Sequence, residues 1–279
     1  MPEADRAHPF WLAAPLALFF AVFFAVPLVM LLAVSLQSDT GTGIAQYARF
    51  FADGLGARVL ASTLRIGFET TIACLILGYP LALLFRSVSP RMQSLITLIV
   101  LLPLLTSVVV RTFAWIVVLG RQGVVNNALI ALGLTDLPLR LLYTEGGLVA
   151  ALTQVQLPLM FLPLAGAISR IDRNLEDASA ALGAGAWRTF MTVVAPLSIP
   201  GALAGCTLTF AAAVTAFITQ SLVGGGQMLL MPSYIYQQAI ALQNWPFAAA
   251  ISMVFLIAVL AVLAAFTALG RLARGGTNA

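Results

Sequence analysis

The sequence predicts an all-α integral membrane protein of six transmembrane helices, and three observations carry that prediction. Hydrophobic residues make up 61% of the chain and charged residues 9%, against about 25% charged in ordinary soluble domains. The apolar stretches are about as long as a bilayer needs, roughly 20 residues each, and short arginine-bearing turns separate them. Finally, Thr189 to Gly270 carry no charge at all. A single helix of that length would run to about 120 Å, several bilayers thick, so the segment has to fold back.

The elements follow in order. Residues 1–10 form a polar tail that holds Arg6 and His8. Trp11 to Leu36 is uncharged and too long for the apolar core of a signal peptide, about 7–15 residues, which makes it a retained first span. Ser38 to Arg58, with Asp39 and Asp53, reads as a polar loop. The second span covers about Leu60 to Phe85, Arg86 to Arg91 make a basic turn, and the third span covers about Met92 to Leu119. Residues 120–146 are a longer loop with Arg121, Asp136, Arg140 and Glu145; the fourth span covers about Gly147 to Ser169. Gly224 to Gly226 and Pro232 mark the end of the fifth span, and the stretch with Gln237, Gln238, Gln243 and Asn244 suits a loop or shallow re-entrant piece. A sixth span covers about Pro246 to Leu269. Pro27, Pro80, Pro103, Pro158 and Pro163 lie inside spans, where neighbouring helices re-satisfy the carbonyls they free.

The longest soluble-looking stretch between spans is Asn174 to Pro200. Asn174 can cap a helix, with Asp177 three residues on approximating a capping box. Leu175, Ala178 and Leu182 recur at helical spacing. Glu176 and Asp177 sit in the first turn, where the helix dipole favours negative charge. Gly183 and Gly185 supply the stop, because glycine takes left-handed backbone at little cost. Such a short amphipathic helix is either a knob for a partner's groove or a connector lying on lipid. The residues alone leave both open.

Orientation follows from the basic residues, all fourteen of which are arginine. With the N-terminus inside, Arg6, Arg86, Arg91, Arg170, Arg173, Arg188, Arg271 and Arg274 are cytoplasmic; Arg49, Arg58, Arg121 and Arg140 lie outside on longer loops. The bias places both termini, and the Asn174 helix, in the cytoplasm. The net charge of +4 is scattered rather than massed, which excludes a nucleic-acid patch. Cys74 and Cys206 fall in apolar runs and read as buried thiols, and a lone tail histidine offers no metal site.

Few charges enter the membrane. Glu69 lies four residues after Arg65 and can pair with it on one helix face, and Arg111 is placed to join them. Intramembrane charges are functional candidates by default, although a self-satisfied pair near the interface also serves architecture. Trp115, Phe210 and Phe217 are candidate liners of a path, against the ordinary alternative of core or lipid-facing aromatics. A stand-alone carrier or channel would carry more ionisable groups than these, and no nucleophile–base pair or metal-ligand cluster suggests an enzyme.

Asp177-Ala178-Ser179-x-x-x-Gly183, continued to Val193-x-Ala195-Pro196, resembles the cytoplasmic signature of the permease subunits of bacterial binding-protein-dependent ABC importers. That pattern is Glu-Ala-Ala, three residues, Gly, nine residues, then Ile-x-Leu-Pro. The spacing matches throughout, with Asp, Ser, Val and Ala as departures, and Glu176 lies beside the acidic position. Leu77-Gly78-Tyr79-Pro80-Leu81-Ala82, Arg111-Thr112-Phe113-Ala114-Trp115, Gly123-x-Val125-Asn126 and Trp245-Pro246-Phe247-x-Ala249-Ala250 are similar to the spermidine/putrescine type.

The resemblance implies the MetI-like permease fold over residues 58–270. Residues 1–57 then form the tail, first span and outer loop, 171–196 the coupling segment, and 271–279 a cytoplasmic tail. It further implies an inner-membrane subunit that forms half of a translocation path, with no catalytic site or cofactor of its own. ATP and magnesium belong to a dimer of ATP-binding subunits, and the other implied partners are a second homologous permease, an external solute-binding protein and membrane lipid. Consistent with this, no lysine exists for a phosphate loop. Glu176, Asp177, Ala178, Ser179, Gly183 and Pro196 become the ATPase-coupling residues, in a helix seated in an ATPase groove. A polyamine is the implied solute; an iron complex, thiamine, an aminophosphonate or another amine stays open.

Overall fold

The computed structural model describes residues 15–38 and 41–275. The polar tail with Arg6 and His8, the first four residues of the predicted first span, Asp39 and residues 276–279 lie outside them. Twelve helices account for most of the described chain. They are α1 (Pro15–Ser35), α2 (Ala45–Ala52), α3 (Leu55–Ser87), α4 (Pro90–Leu105), α5 (Val108–Leu119), α6 (Val124–Ala131), α7 (Glu145–Ser169), α8 (Arg173–Ala181), α9 (Ala186–Val214), α10 (Phe217–Val223), α11 (Met231–Tyr236) and α12 (Trp245–Gly275). A two-residue antiparallel ladder, Gln37–Ser38 with Gly41–Thr42, precedes α2. Six segments are long and apolar enough to cross a bilayer: α1, α3, Val108–Ala131, α7, α9 and Trp245–Arg271 of α12.

Four predicted details are corrected. The stretch 38–58 is not all loop, because it contains α2, an amphipathic helix that buries Phe50. The third span is broken: α4 stops at Leu105, Thr106 and Ser107 turn extended, and α5 restarts at Val108. Pro103 in the last turn of α4 withholds one amide donor, which weakens the helix where it ends. The fifth span ends at Val214, earlier than the triple glycine; Ala216 leaves helical geometry, and α10 carries the chain to Gly224. The glutamine-rich stretch is loop only in its second half: Gln237 and Gln238 are helical, while Gln243 and Asn244 are not. A five-residue π turn (Gln237–Ala241) extends α11, and Gln243, two residues beyond it, takes positive φ.

The described residues divide into two compact units, those up to 58 with 234–257, and 59–233 with those from 258 on. In the first, Phe247 is the hub: Arg49 lies 4.4 Å above its ring and Tyr234 meets it edge-on. Asn244 accepts from the Phe247 amide, which starts α12 ahead of Pro246. The apolar side chains of α1 are exposed along its length, as suits a helix solvated by lipid tails.

In the second unit, α7 is the central post, with a buried column running from Leu148 to Ile168. Its most extensive neighbour is α9. Gly201 and Gly205, a Gly-x-x-x-Gly pair, are what let the two backbones approach. A Cβ on Gly205 would lie 2.9 Å from the Met160 carbonyl and 2.7 Å from its sulfur, and one on Gly201 would lie 2.8 Å from the Pro163 carbonyl. α3 packs on the same post, with Gly78 against Met160, and its Tyr79 hydroxyl bonds to buried Ser198 of α9. Two π turns, at Ala21–Ala25 and Phe190–Val194, each stand just before a proline, Pro27 and Pro196. A wider turn there relieves the clash between the proline ring and the carbonyl four residues back.

Candidate functional site

The signature segment folds into α8 and the turn that follows it. Its cap is Asp172 rather than Asn174: the Asp172 carboxylate accepts from the Asn174 amide at 3.0 Å, so the helix begins two residues earlier than predicted. Glu176 lies in the first turn as expected. At the other end Gly183 has φ +83°, its amide donates to the Ala180 carbonyl at 2.9 Å, and the Ala184 amide donates to the Ser179 carbonyl at 3.1 Å. Those two bonds close a Schellman stop, which needs left-handed backbone at position 183. A Cβ on Gly183 would meet nothing in this chain, so any clash from a larger residue there has to come from outside it.

Glu176 is not free for a partner. It forms an ion pair with Arg86, at the last turn of α3; the Arg86 side chain is 12% exposed and that of Glu176 34%. Arg86 also donates to the Ile171 carbonyl at 2.7 Å, and Arg173 donates to the Arg86 carbonyl at 3.2 Å. Ser179 and Thr189 share a hydroxyl bond of 3.0 Å that ties α8 to the start of α9. The polar face of α8 is therefore fastened to the bundle. Its apolar stripe points away: Leu182 at its C-cap is 89% exposed, Leu175 and Ala178 are exposed as well, and so is Trp187 at the start of α9. Asp177 is exposed, and Pro196 sits behind the π turn at the base of α9.

At the opposite end of α3, Arg65 pairs with Glu69 at 3.2 Å as the spacing predicts. The third member is not Arg111 but Glu145, the first residue of α7, which also pairs with Arg65. Arg111 instead donates to the Pro103 carbonyl. The break at Thr106 leaves that carbonyl without a helical donor, and a cation suits the C-terminus of α4. Phe210 is fully buried between Phe68 and Phe266, in the core rather than on a path. Phe217 begins α10 and is half-buried. Trp115 does face a hollow: a groove of about 550 Å³ between α3, α5 and α7, where its indole donates to Gln154 at 3.3 Å.

Sequence reasoning missed Asp172, Arg86 and Glu145 as members of these clusters, and each pairing but the first spans dozens of residues. Gly201-x-x-x-Gly205 was the one overlooked signal that a motif search would have found. Among the described residues no group of three or more histidine, cysteine or acidic side chains is arranged to hold a metal ion.

Residues 74–271 match the family described as the binding-protein-dependent transport system inner membrane component. The spermidine/putrescine transport system permease protein PotB of Haemophilus influenzae is 34% identical over 238 residues, covering 83% of each chain. PotB of Escherichia coli K12 is 33% identical over 205 residues, 74% of each. The inner membrane ABC transporter permease protein YdcU of the same strain is 34% identical over 224 residues, 76% of this chain and 71% of that one. Among solved structures, a bacterial ABC transporter that imports the acidic polysaccharide alginate superposes with a TM-score of 0.78 over 94% of both chains at 18% identity, a likeness of fold.

Proposed function

This chain belongs to the binding-protein-dependent transport system inner membrane component family, and on that premise we propose that it is the translocation subunit of an ATP-driven polyamine importer. It is a multi-pass inner-membrane protein. In the proposed assembly it stands beside a second permease, takes solute from an external binding protein, and receives its energy through α8 from a dimer of ATP-binding subunits. The termini and α8 face the cytoplasm, in keeping with the arginine bias. The polyamine assignment rests on the relatives named for spermidine and putrescine.

The observation that carries the coupling role is the two-faced build of α8. Its polar side is fastened to α3 and α9 through Arg86, Glu176, Ser179 and Thr189, while Leu175 and Leu182 stand exposed, joined by the outer face of Trp187 where it stacks on Phe190 at the start of α9. An apolar face alone would equally suit a connector lying on lipid; what favours a partner's groove is that the opposite face is fixed to α3 and α9 and so holds the apolar one in a set position. Closure of the ATPase dimer would move α8, and the Arg86 pair would pass that displacement to α3. The two bundle states would then redistribute according to the state each ligand prefers.

Gly183→Arg tests this. The substitution forces a side chain onto left-handed backbone, at roughly 1–2 kcal/mol, and thrusts a guanidinium into the space where a partner would seat. ATP-coupled spermidine uptake in proteoliposomes should disappear while the bundle itself still folds. Wild-type uptake by that variant would refute the coupling role, and wild-type vesicles that import a different solute would refute the substrate.

A further inference from the structure

We infer that Arg65 is a resident stand-in for the cargo, held by Glu69 and Glu145 in the place that an ammonium group of a linear polyamine takes during transport. The inference deepens the polyamine reading and rests on it.

Two carboxylates from two different spans converge on one guanidinium. Among the described residues they have no second cation, so the cluster carries a surplus negative charge. Its three side chains are about half exposed, 56% for Arg65, 42% for Glu69 and 50% for Glu145, so a water-borne cation reaches them without unpacking the bundle. A pair serving architecture alone would do best one-to-one and shielded, as Arg86 and Glu176 are at the far end of the same helix.

The groove described above continues from this cluster. Ala73 is one turn below Glu69 on α3, and Gly146 follows Glu145 on α7; both line it, with Leu77, Val149 and Trp115. The walls are thus apolar with a single indole, which suits methylene segments between ammonium groups and offers a ring face to a cation. Two candidate acceptors lie deeper. Thr153 lines the groove and is buried, 5% exposed, with a hydroxyl that has no hydrogen-bond partner. Pro158 has no N–H to give to the Gln154 carbonyl four residues earlier. Both are acceptors suited to an N–H donor arriving down the groove. An acidic mouth, an apolar wall and buried acceptors below describe a ligand with charged ends and a hydrocarbon middle.

In the exchange no covalent bond changes. An ammonium group enters between Glu69 and Glu145, the guanidinium swings out to water, and after passage Arg65 returns. The carboxylates thereby stay paired in both states, which avoids leaving a lone charge at the edge of the apolar groove.

The exchange predicts opposite signs for removing the two kinds of partner. The probe is radiolabelled spermidine, bound to the purified transporter with its co-purified subunits in nanodiscs, without the solute-binding protein. Glu69→Gln and Glu145→Gln should each weaken binding about fivefold, and the double substitution further, with weaker binding at higher salt in the wild type. Arg65→Met should tighten binding several-fold, because spermidine no longer competes with a tethered cation, and should slow turnover. If Arg65→Met weakens binding as the glutamines do, the cluster is an architectural clamp and the inference is overturned. Unchanged binding in the double variant overturns it too. Wild-type proteoliposomes that couple ATP to import of another solute and ignore spermidine bring down the substrate reading, and the stand-in with it.

Discussion

The two ends of α3 carry the same kind of ion pair in opposite circumstances. At Arg86 one guanidinium meets one carboxylate, is nearly buried, and spends its remaining donors on the Ile171 carbonyl. At Arg65, about 30 Å away along the helix, one guanidinium is divided between two carboxylates, and all three side chains are about half in the open. Saturated and shielded contacts fix a geometry; shared and exposed ones are worth little in stability and exchange partners readily. The contrast assigns rigidity to the α8 end and ligand exchange to the other, on one rod braced against α7.

The sharpest way to break that contrast is to make the same change at both ends. Arg86→Glu sets two carboxylates against each other in a half-buried site and strips the Ile171 carbonyl of its donor, which should cost about 3 kcal/mol and abolish ATP-coupled uptake. Adding Glu176→Arg should restore part of both. Arg65→Glu, by contrast, should shift the melting temperature little, since an exposed pair contributes at most about 1 kcal/mol. Differential scanning fluorimetry of the purified complex beside uptake assays separates the two ends; equal melting losses would dissolve the distinction.

A second change leaves both ends untouched and attacks what joins them. Gly205→Leu would drive a side chain into the Met160 backbone and sulfur. Overpacking of this kind costs about 2 kcal/mol. The expected result is a less stable α7–α9 pair, with ATPase activity surviving but no longer responding to loaded binding protein. If α3 transmits by itself, coupling would persist in that variant.

How much of this was legible beforehand depended on how local the cause is. Six spans, the i, i+4 pair of Arg65 with Glu69, and the glycine stop at position 183 all follow from rules that operate within a few residues, and each is present. The break at Thr106 was written in Pro103, yet hydropathy alone runs straight through it. Arg111 went to the Pro103 carbonyl because that break created an acceptor, a consequence invisible until the break is known. Glu145 and Arg86 found partners 80 and 90 residues away in the chain, which no local pattern encodes. The type of Phe210 leaves path and core both open; only packing against Phe68 and Phe266 places it in the core.

The cap of α8 offers a smaller effect. Asp172→Ala removes the acceptor for the Asn174 amide, at about 1 kcal/mol, and loosens the helix start without touching the Arg86 pair. Uptake should fall by a few-fold rather than vanish, with Asp172→Asn nearly neutral because asparagine caps as well. Complete loss with Asp172→Ala would mean that the cap, and not the ion pair, sets the position of α8.

The smallest effect is expected at Ser179, where this chain has a serine in place of the signature's alanine. Its hydroxyl meets Thr189 at 3.0 Å, and both partners are neutral, so the bond contributes on the order of 1 kcal/mol at most. Ser179→Ala leaves the Thr189 hydroxyl at a buried position, where the turn at the base of α9 still offers it the Gly185 carbonyl one turn back, the acceptor that threonines in helices commonly use. Coupled uptake should therefore stay within about twofold of wild type. A collapse instead would move the lock from α3 to α9 and make the Arg86 pair secondary. Comparing Ser179→Ala with Arg86→Glu in the same vesicles decides which span receives the displacement of α8.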